Sequence, residues 1–123
     1  MSIRPVFASA ILSGLKRYEF RRRIFARPVN RVVIYATVPV RQVIAEFKVK
    51  TILSGSPSTL WKRTRQYAGI SRGVFFEYFD GAKRGYAIEI GEVKAYDLPY
   101  CPIKKLGVRP PQSFTYLVNE RRT

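Results

Sequence analysis

The 123-residue chain contains no histidine and a single cysteine, Cys101. The first absence removes Ser–His–Asp and Cys–His nucleophilic arrangements and every histidine-based metal site. The second removes an internal disulfide and a cysteine zinc site, since one thiolate can build neither. Cys101 lies between Tyr100 and Pro102 and reads as a small packing residue. Acidic residues are scarce, 8 Asp+Glu against 23 Lys+Arg, so the net charge is +15 and the pI about 10.6. Long apolar runs are also missing. The stretch from Val6 to Leu12 is broken by Ser9 and followed at once by basic residues, which argues against a signal peptide. Nothing approaches the roughly 18 apolar residues of a membrane span. A soluble cytoplasmic protein is expected. Catalysis, if any, is left to Lys, Glu, Asp, Tyr, Ser, Thr or a carboxylate-held Mg²⁺.

Hydrophobic content of 46% and charged content of 25% match an ordinary globular protein. The length and the lack of repeats, linkers or low-complexity blocks predict one domain over residues 1–123. The excess positive charge is the electrostatic footprint of a polyanion, nucleic acid first and an anionic membrane second.

Ser2–Arg4 reads as a short strand. Pro5 suits a first helical turn, Phe7, Ala8, Ile11 and Leu12 recur at helical spacing, and Gly14 ends the helix. Lys16–Arg21 reads as extended, with Glu19 and Arg21 on one face and Lys16, Tyr18 and Phe20 on the other. Arg31–Thr37 and Val43–Ile52 are strands by their β-branched runs, the second with Val43, Ala45, Phe47 and Val49 toward the core. Ser58 or Ser56 caps a helix running to about Tyr67, Gly69 breaks it, and Ser71 caps a second helix ending at Asp80–Gly81. Gly85–Val93 is a strand, Lys94–Tyr100 continues it irregularly, and Ser113–Val118 is a last short strand. Runs of strands with few helices predict an α+β fold with a closed or half-closed antiparallel sheet, such as a small β-barrel with flanking short helices.

The segment SIRPVFASAILSGLKRYEFRRR carries a pattern, G-x-K-x-x-E-x-R, at Gly14, Lys16, Glu19 and Arg21. Gly14 permits a sharp reversal. If a turn or bulge re-aims Lys16, it joins Glu19 and Arg21 in a cleft of two cations and one carboxylate. Glu19 could then serve as a general base or accept from a base edge. Lys16 could bind phosphate, stabilise an oxyanion or act as a nucleophile, and Arg21 could grip phosphate or lock Glu19. The plainer alternative is a solvated, salt-bridged strand. In its helix, glycine and Lys–Glu–Arg spacing, and in the preceding Ser2-Ile3-Arg4-Pro5, the chain resembles the ASCH domain family of the PUA-like superfamily. The resemblance implies a PUA-like small antiparallel barrel and a nucleotide-sized pocket near Lys16, Glu19 and Arg21. It also implies RNA binding, RNA cleavage or deacylation of an acetylated cytidine. In the deacylase branch the place of Glu19 is a threonine, and this chain departs there.

Arg21–Arg23 with Arg27 and Arg31 form one basic cluster and Lys62, Arg63 and Arg65 another, around Trp61 and Tyr67, with Lys83–Arg84 and Lys104–Lys105 as further patches; Arg4, Arg22, Arg23, Arg27, Lys62, Arg63 and Arg65 are the candidate phosphate contacts. Trp61 fits the core better than a stacking platform, and Tyr78 is a candidate outward-facing aromatic. Gln112 and Ser113, held by Pro110–Pro111, could read a base edge, and the resemblance makes them a second pocket wall. Glu77 and Asp80 could hold Mg²⁺ for a ribonuclease, an ordinary salt bridge to Lys83–Arg84 being the plainer expectation. No other metal or cofactor is expected. The leading expectation is an RNA-binding module, with DNA a possible partner. The alternatives are a single-strand ribonuclease or modified-nucleoside amidohydrolase on the same site, a ligand-sensing transcription regulator, and a basic ribosome-associated protein.

Overall fold

The computed structural model describes residues 1–101. The expected strand Ser113–Val118 and the candidate pair Gln112 and Ser113 lie outside the described residues.

A two-residue strand β1 (Ser2–Ile3) leads into helix α1 (Pro5–Ser13), with Pro5 in its first turn. Gly14 ends the helix at φ 84°, a left-handed conformation that costs glycine little. Strands β2 (Tyr18–Arg21), β3 (Arg31–Ala36) and β4 (Gln42–Gly55) follow. Helix α2 (Pro57–Thr64) is capped by Ser56, whose hydroxyl accepts from the Thr59 N–H, and runs on into a single 3₁₀ turn, Arg65–Tyr67. Helix α3 (Arg72–Tyr78) is capped in the same way by Ser71, which accepts from the Val74 N–H. Strand β5 (Gly85–Tyr100) is longer than the sequence suggested. Its second half pairs with β4 as far as Val43–Tyr100, and register shifts along β4 absorb the irregularity.

Among the described residues the strands form one five-stranded sheet in the order β1-β3-β4-β5-β2, antiparallel except for the parallel β1–β3 pair. The α+β class is as expected. Among those residues the sheet is barrel-like rather than closed, because β1 and β2 stand at its two edges. They nonetheless approach each other, since Arg21 of β2 donates a 3.1 Å hydrogen bond to the Ser2 carbonyl of β1.

The strand alternation divides two cores. Ile88 faces one with Ile34, Ala45 and Phe47 of the sheet and Ala8 and Ile11 of α1. Its neighbour Ala87 faces the other with Phe20, Leu60 of α2, and Phe75 and Phe79 of α3. Phe20 meets Phe75 edge-on at 4.9 Å between ring centroids, and Trp61 packs on Phe75 at 5.0 Å. Trp61 is therefore core, as expected, and the α3 aromatics anchor that helix to the sheet.

Candidate active site

Register decides where the β2 side chains go. Glu19 pairs with Ile88 and Arg21 with Tyr86, which puts both on the face that carries the first core. Phe20 pairs with Ala87 and enters the second. Glu19 and Arg21 form an ion pair at 2.8 Å, and their side chains are only 10% and 11% exposed. The Nε of Arg21 is buried and has no hydrogen-bond partner among the described residues. A buried N–H donor without a partner is costly, so it marks a place for an acceptor.

Lys16 lies outside the alternation of β2. The chain arrives there from the Gly14 turn, with the Lys16 N–H donating to the Ala10 carbonyl. Its side chain tucks between the rings of Phe7 and Phe20, with Nζ 5.5 Å and 4.8 Å from their centroids. Nζ donates to the Ala68 carbonyl at 2.8 Å. The residue is 3% exposed. Burial moves its pKa from 10.5 down to about 8; Glu19 pulls it up and Arg21 presses it down. The three charged residues of the motif therefore converge. What re-aims Lys16 is the turn at Gly14, and its partner comes from the distant segment after the 3₁₀ turn. Gly69 is required there: at φ +69° a Cβ would fall 2.3 Å from Lys16 Cβ. The sequence marks Gly69 as a helix breaker; its contact with Lys16 exists only in the fold and has no local signal.

A cleft of about 350 Å³ opens on the same face of the sheet, lined by Ile24, Phe25, Arg27 and Val29 of the β2–β3 loop and by Ile52 and Tyr86. Tyr86 is the register partner of Arg21, so the cleft opens one residue pair from the site; Lys16, Glu19 and Arg21 do not themselves line it. Arg27 is thus placed on a cleft wall.

The other basic candidates differ in their surroundings. Arg4 is exposed, its guanidinium 5.5 Å from the Phe7 ring centroid. Arg22 is exposed but donates to the Tyr78 and Asp80 carbonyls, both at 2.9 Å, at the end of α3. Its backbone N–H donates to the Tyr78 hydroxyl, which ties down the side chain considered for base stacking. Arg23, Lys62, Arg63 and Arg65 are exposed. Glu77 and Asp80 form no ion pair among the described residues; Arg84 instead donates to the Ser54 hydroxyl. Among those residues no group of three His, Cys, Asp or Glu side chains is placed to hold a metal ion. No helix there is long and apolar enough to cross a membrane.

No family model matches the chain. A protein named ASCH domain-containing ribonuclease, from Zymomonas mobilis, is 36% identical over 124 residues, covering 98% of this chain and 84% of that protein. A crystal structure of ASCH from the same organism superposes with a TM-score of 0.89 at 35% identity, over 99% of this chain and 88% of that one. A protein named ATP synthase subunit alpha, from Ureaplasma parvum, is 34% identical over 118 residues, which is 95% of this chain but 15% of that protein. On the first of these likenesses, nearly end to end, the chain belongs to the ASCH domain family.

Proposed function

We propose that the chain is a single ASCH domain, residues 1–123, that binds single-stranded RNA in the cytoplasm and cuts it at the Lys16–Glu19–Arg21 site. The observation that carries this reading is the state of Lys16. In a chain with no histidine, burial brings one lysine to a pKa of about 8, beside a carboxylate-held arginine. A base that titrates near working pH is what proton transfer at neutrality needs. The Zymomonas mobilis relative, named a ribonuclease, supports RNA as the substrate class.

In this reading the RNA displaces the Ala68 carbonyl from Lys16. The neutral amine takes the proton of a 2′-hydroxyl as that oxygen bonds to the adjacent phosphorus. The bond from phosphorus to the 5′-oxygen breaks, and the leaving oxygen takes a proton from the Lys16 ammonium. The products are a 2′,3′-cyclic phosphate and a free 5′-hydroxyl. The open N–H of Arg21 Nε meets the charge gathering on the phosphoryl oxygens, and Glu19 holds the guanidinium in place.

The test is cleavage of end-labelled single-stranded RNA, with Mg²⁺ and with chelator, by wild type, Lys16→Met and Glu19→Gln. Duplex RNA and duplex DNA serve as comparison substrates. Cyclic-phosphate ends that disappear in Lys16→Met support the reading. Cleavage that survives Lys16→Met, or that proceeds past a 2′-deoxy substitution at the scissile position, sinks it.

One observation favours a second reading. Lys16 is enclosed to 3% exposure, and the cleft at Tyr86, the register partner of Arg21, is of nucleoside size, which suits a small substrate. On that reading the site hydrolyses an acylated nucleoside. Release of the acyl group from an N-acylated cytidine, with no cut in RNA, would select it.

A further inference from the structure

Two sets of cations in this protein differ in what holds them. On the sheet three of them are ion-paired: Arg31 with Glu46, Lys48 with Glu92 at 3.2 Å and Lys50 with Glu89 at 3.8 Å. Around α1 and the 3₁₀ turn they are not. Among the described residues no carboxylate pairs with Arg4 or Arg17. Each instead lies over an aromatic ring, Arg4 at 5.5 Å from the Phe7 centroid and Arg17 at 4.1 Å from that of Tyr67. A stacked guanidinium keeps its charge, is fixed in orientation by the ring, and leaves its N–H edges open to a bidentate anion. An ion-paired cation has already given up much of its attraction for phosphate.

Both stacks adjoin Lys16. The Phe7 ring that carries Arg4 is the one against which Lys16 Nζ also lies, at 5.5 Å. Arg17 follows Lys16 in the chain. Its backbone is fixed on both sides, the N–H donating to the Tyr67 carbonyl at 2.8 Å and the carbonyl accepting from the Ile90 N–H at 2.9 Å. Arg4 and Arg17 are both exposed. An RNA strand that delivers a nucleotide to Lys16 therefore meets a guanidinium stacked over Phe7, which Lys16 shares, and another on the residue next to Lys16 in the chain.

We propose that Arg4 and Arg17, held over Phe7 and Tyr67, form a phosphate-binding track for single-stranded RNA that runs across α1 and the 3₁₀ turn, while the sheet face with Lys48 and Lys50 takes no part. The proposal rests on the RNA reading above but not on cleavage.

Two charge-matched double variants test it by fluorescence anisotropy of a labelled single-stranded RNA over a salt series. Arg4→Ala with Arg17→Ala removes two stacked cations; Lys48→Ala with Lys50→Ala removes two paired ones. Net charge falls equally in both, so long-range attraction is matched. The first should lose at least tenfold in affinity near physiological salt. Its log–log salt slope should shrink by about 0.7 per guanidinium removed. The second should stay within about twofold. Arg17→Lys, which keeps the charge without the planar fork, should fall between wild type and Arg17→Ala. Equal losses in the two double variants, or a greater loss from the sheet pair, overturn the track. Binding that follows the track in a protein that cuts nothing refutes the ribonuclease and leaves the track standing. A wild type that holds no RNA refutes both.

Discussion

Arg21 on β2 donates a hydrogen bond of 3.1 Å to the backbone carbonyl of Ser2 on β1, so a side chain bridges two edge strands whose backbones do not pair. The same guanidinium nitrogen donates to Glu19 at 2.8 Å. One side chain thus joins the closure of the sheet to the geometry of the candidate site, and damage to either is felt by the other.

That coupling sets the cost of breaking the ion pair. With Glu19 and Arg21 both nearly buried, removing one partner strands the other's charge away from water. Glu19→Ala or Arg21→Ala should each lose about 3–5 kcal/mol, and the double variant markedly less than their sum. Urea unfolding of the three variants measures the coupling. Additive losses would show that the pair does not act as a unit.

The lysine gives a pH prediction with a definite sign. Its folded pKa, about 8, lies below the ordinary value of 10.5 because burial penalises the ammonium. Between those two values the unfolded chain holds more protons than the folded one, so stability gains with rising pH across that window. The penalty is fully present below about pH 8 and is gone by about 10.5. Lys16→Met lacks this titration, so the wild type should gain on it as pH rises from 8 to 10.5. Cleavage that depends on the neutral amine should climb through about pH 8 and then level off. A flat rate profile between about pH 7 and 9 would count against Lys16 as the base.

Much of this was legible because it is local. Gly14 closing α1, and Ser56 and Ser71 capping α2 and α3, follow from residue chemistry within a turn of the event. The alternation that put Glu19 and Arg21 together against Phe20 needs only the pleat. What the sequence concealed depends on distant partners. Lys16 is buried because the Ala68 carbonyl, 52 residues away, receives its ammonium. Arg17 drew no attention among so many basic residues, since only the fold brings Tyr67 beneath it. Pro99 made the continuation of β5 past Val93 read as irregular, and the long partner strand β4 supplies the register that carries it through.

Gly69 and Gly73 should respond in opposite ways to alanine. At Gly69 the backbone is left-handed and a Cβ would strike Lys16 Cβ, so Gly69→Ala should lose at least about 2 kcal/mol. By pushing Lys16 off the Ala68 carbonyl it should also move the pH dependence of cleavage upward, toward an exposed lysine. Gly73 lies within α3, and a Cβ added there would meet nothing within 4 Å, so Gly73→Ala should gain about 0.5–1 kcal/mol. Thermal unfolding of the two variants checks the contrast; a stabilised Gly69→Ala would mean that this segment does not press on Lys16.

Arg22 separates structural from RNA-binding cations. The sequence places it in the basic run and invites a phosphate role, but its guanidinium already holds two carbonyls at the end of α3. There a positive charge also complements the negative end of the helix dipole. Arg22→Ala should therefore cost about 1 kcal/mol of stability and speed amide exchange in α3. Its RNA affinity should change far less than that of Arg17→Ala. Lysine should rescue only in part, because one ammonium cannot reproduce the planar fork that reaches both carbonyls. Should Arg22→Ala instead weaken RNA binding while leaving α3 exchange untouched, the guanidinium must leave those carbonyls for phosphate, and its grip on the helix end would be a resting contact rather than its purpose.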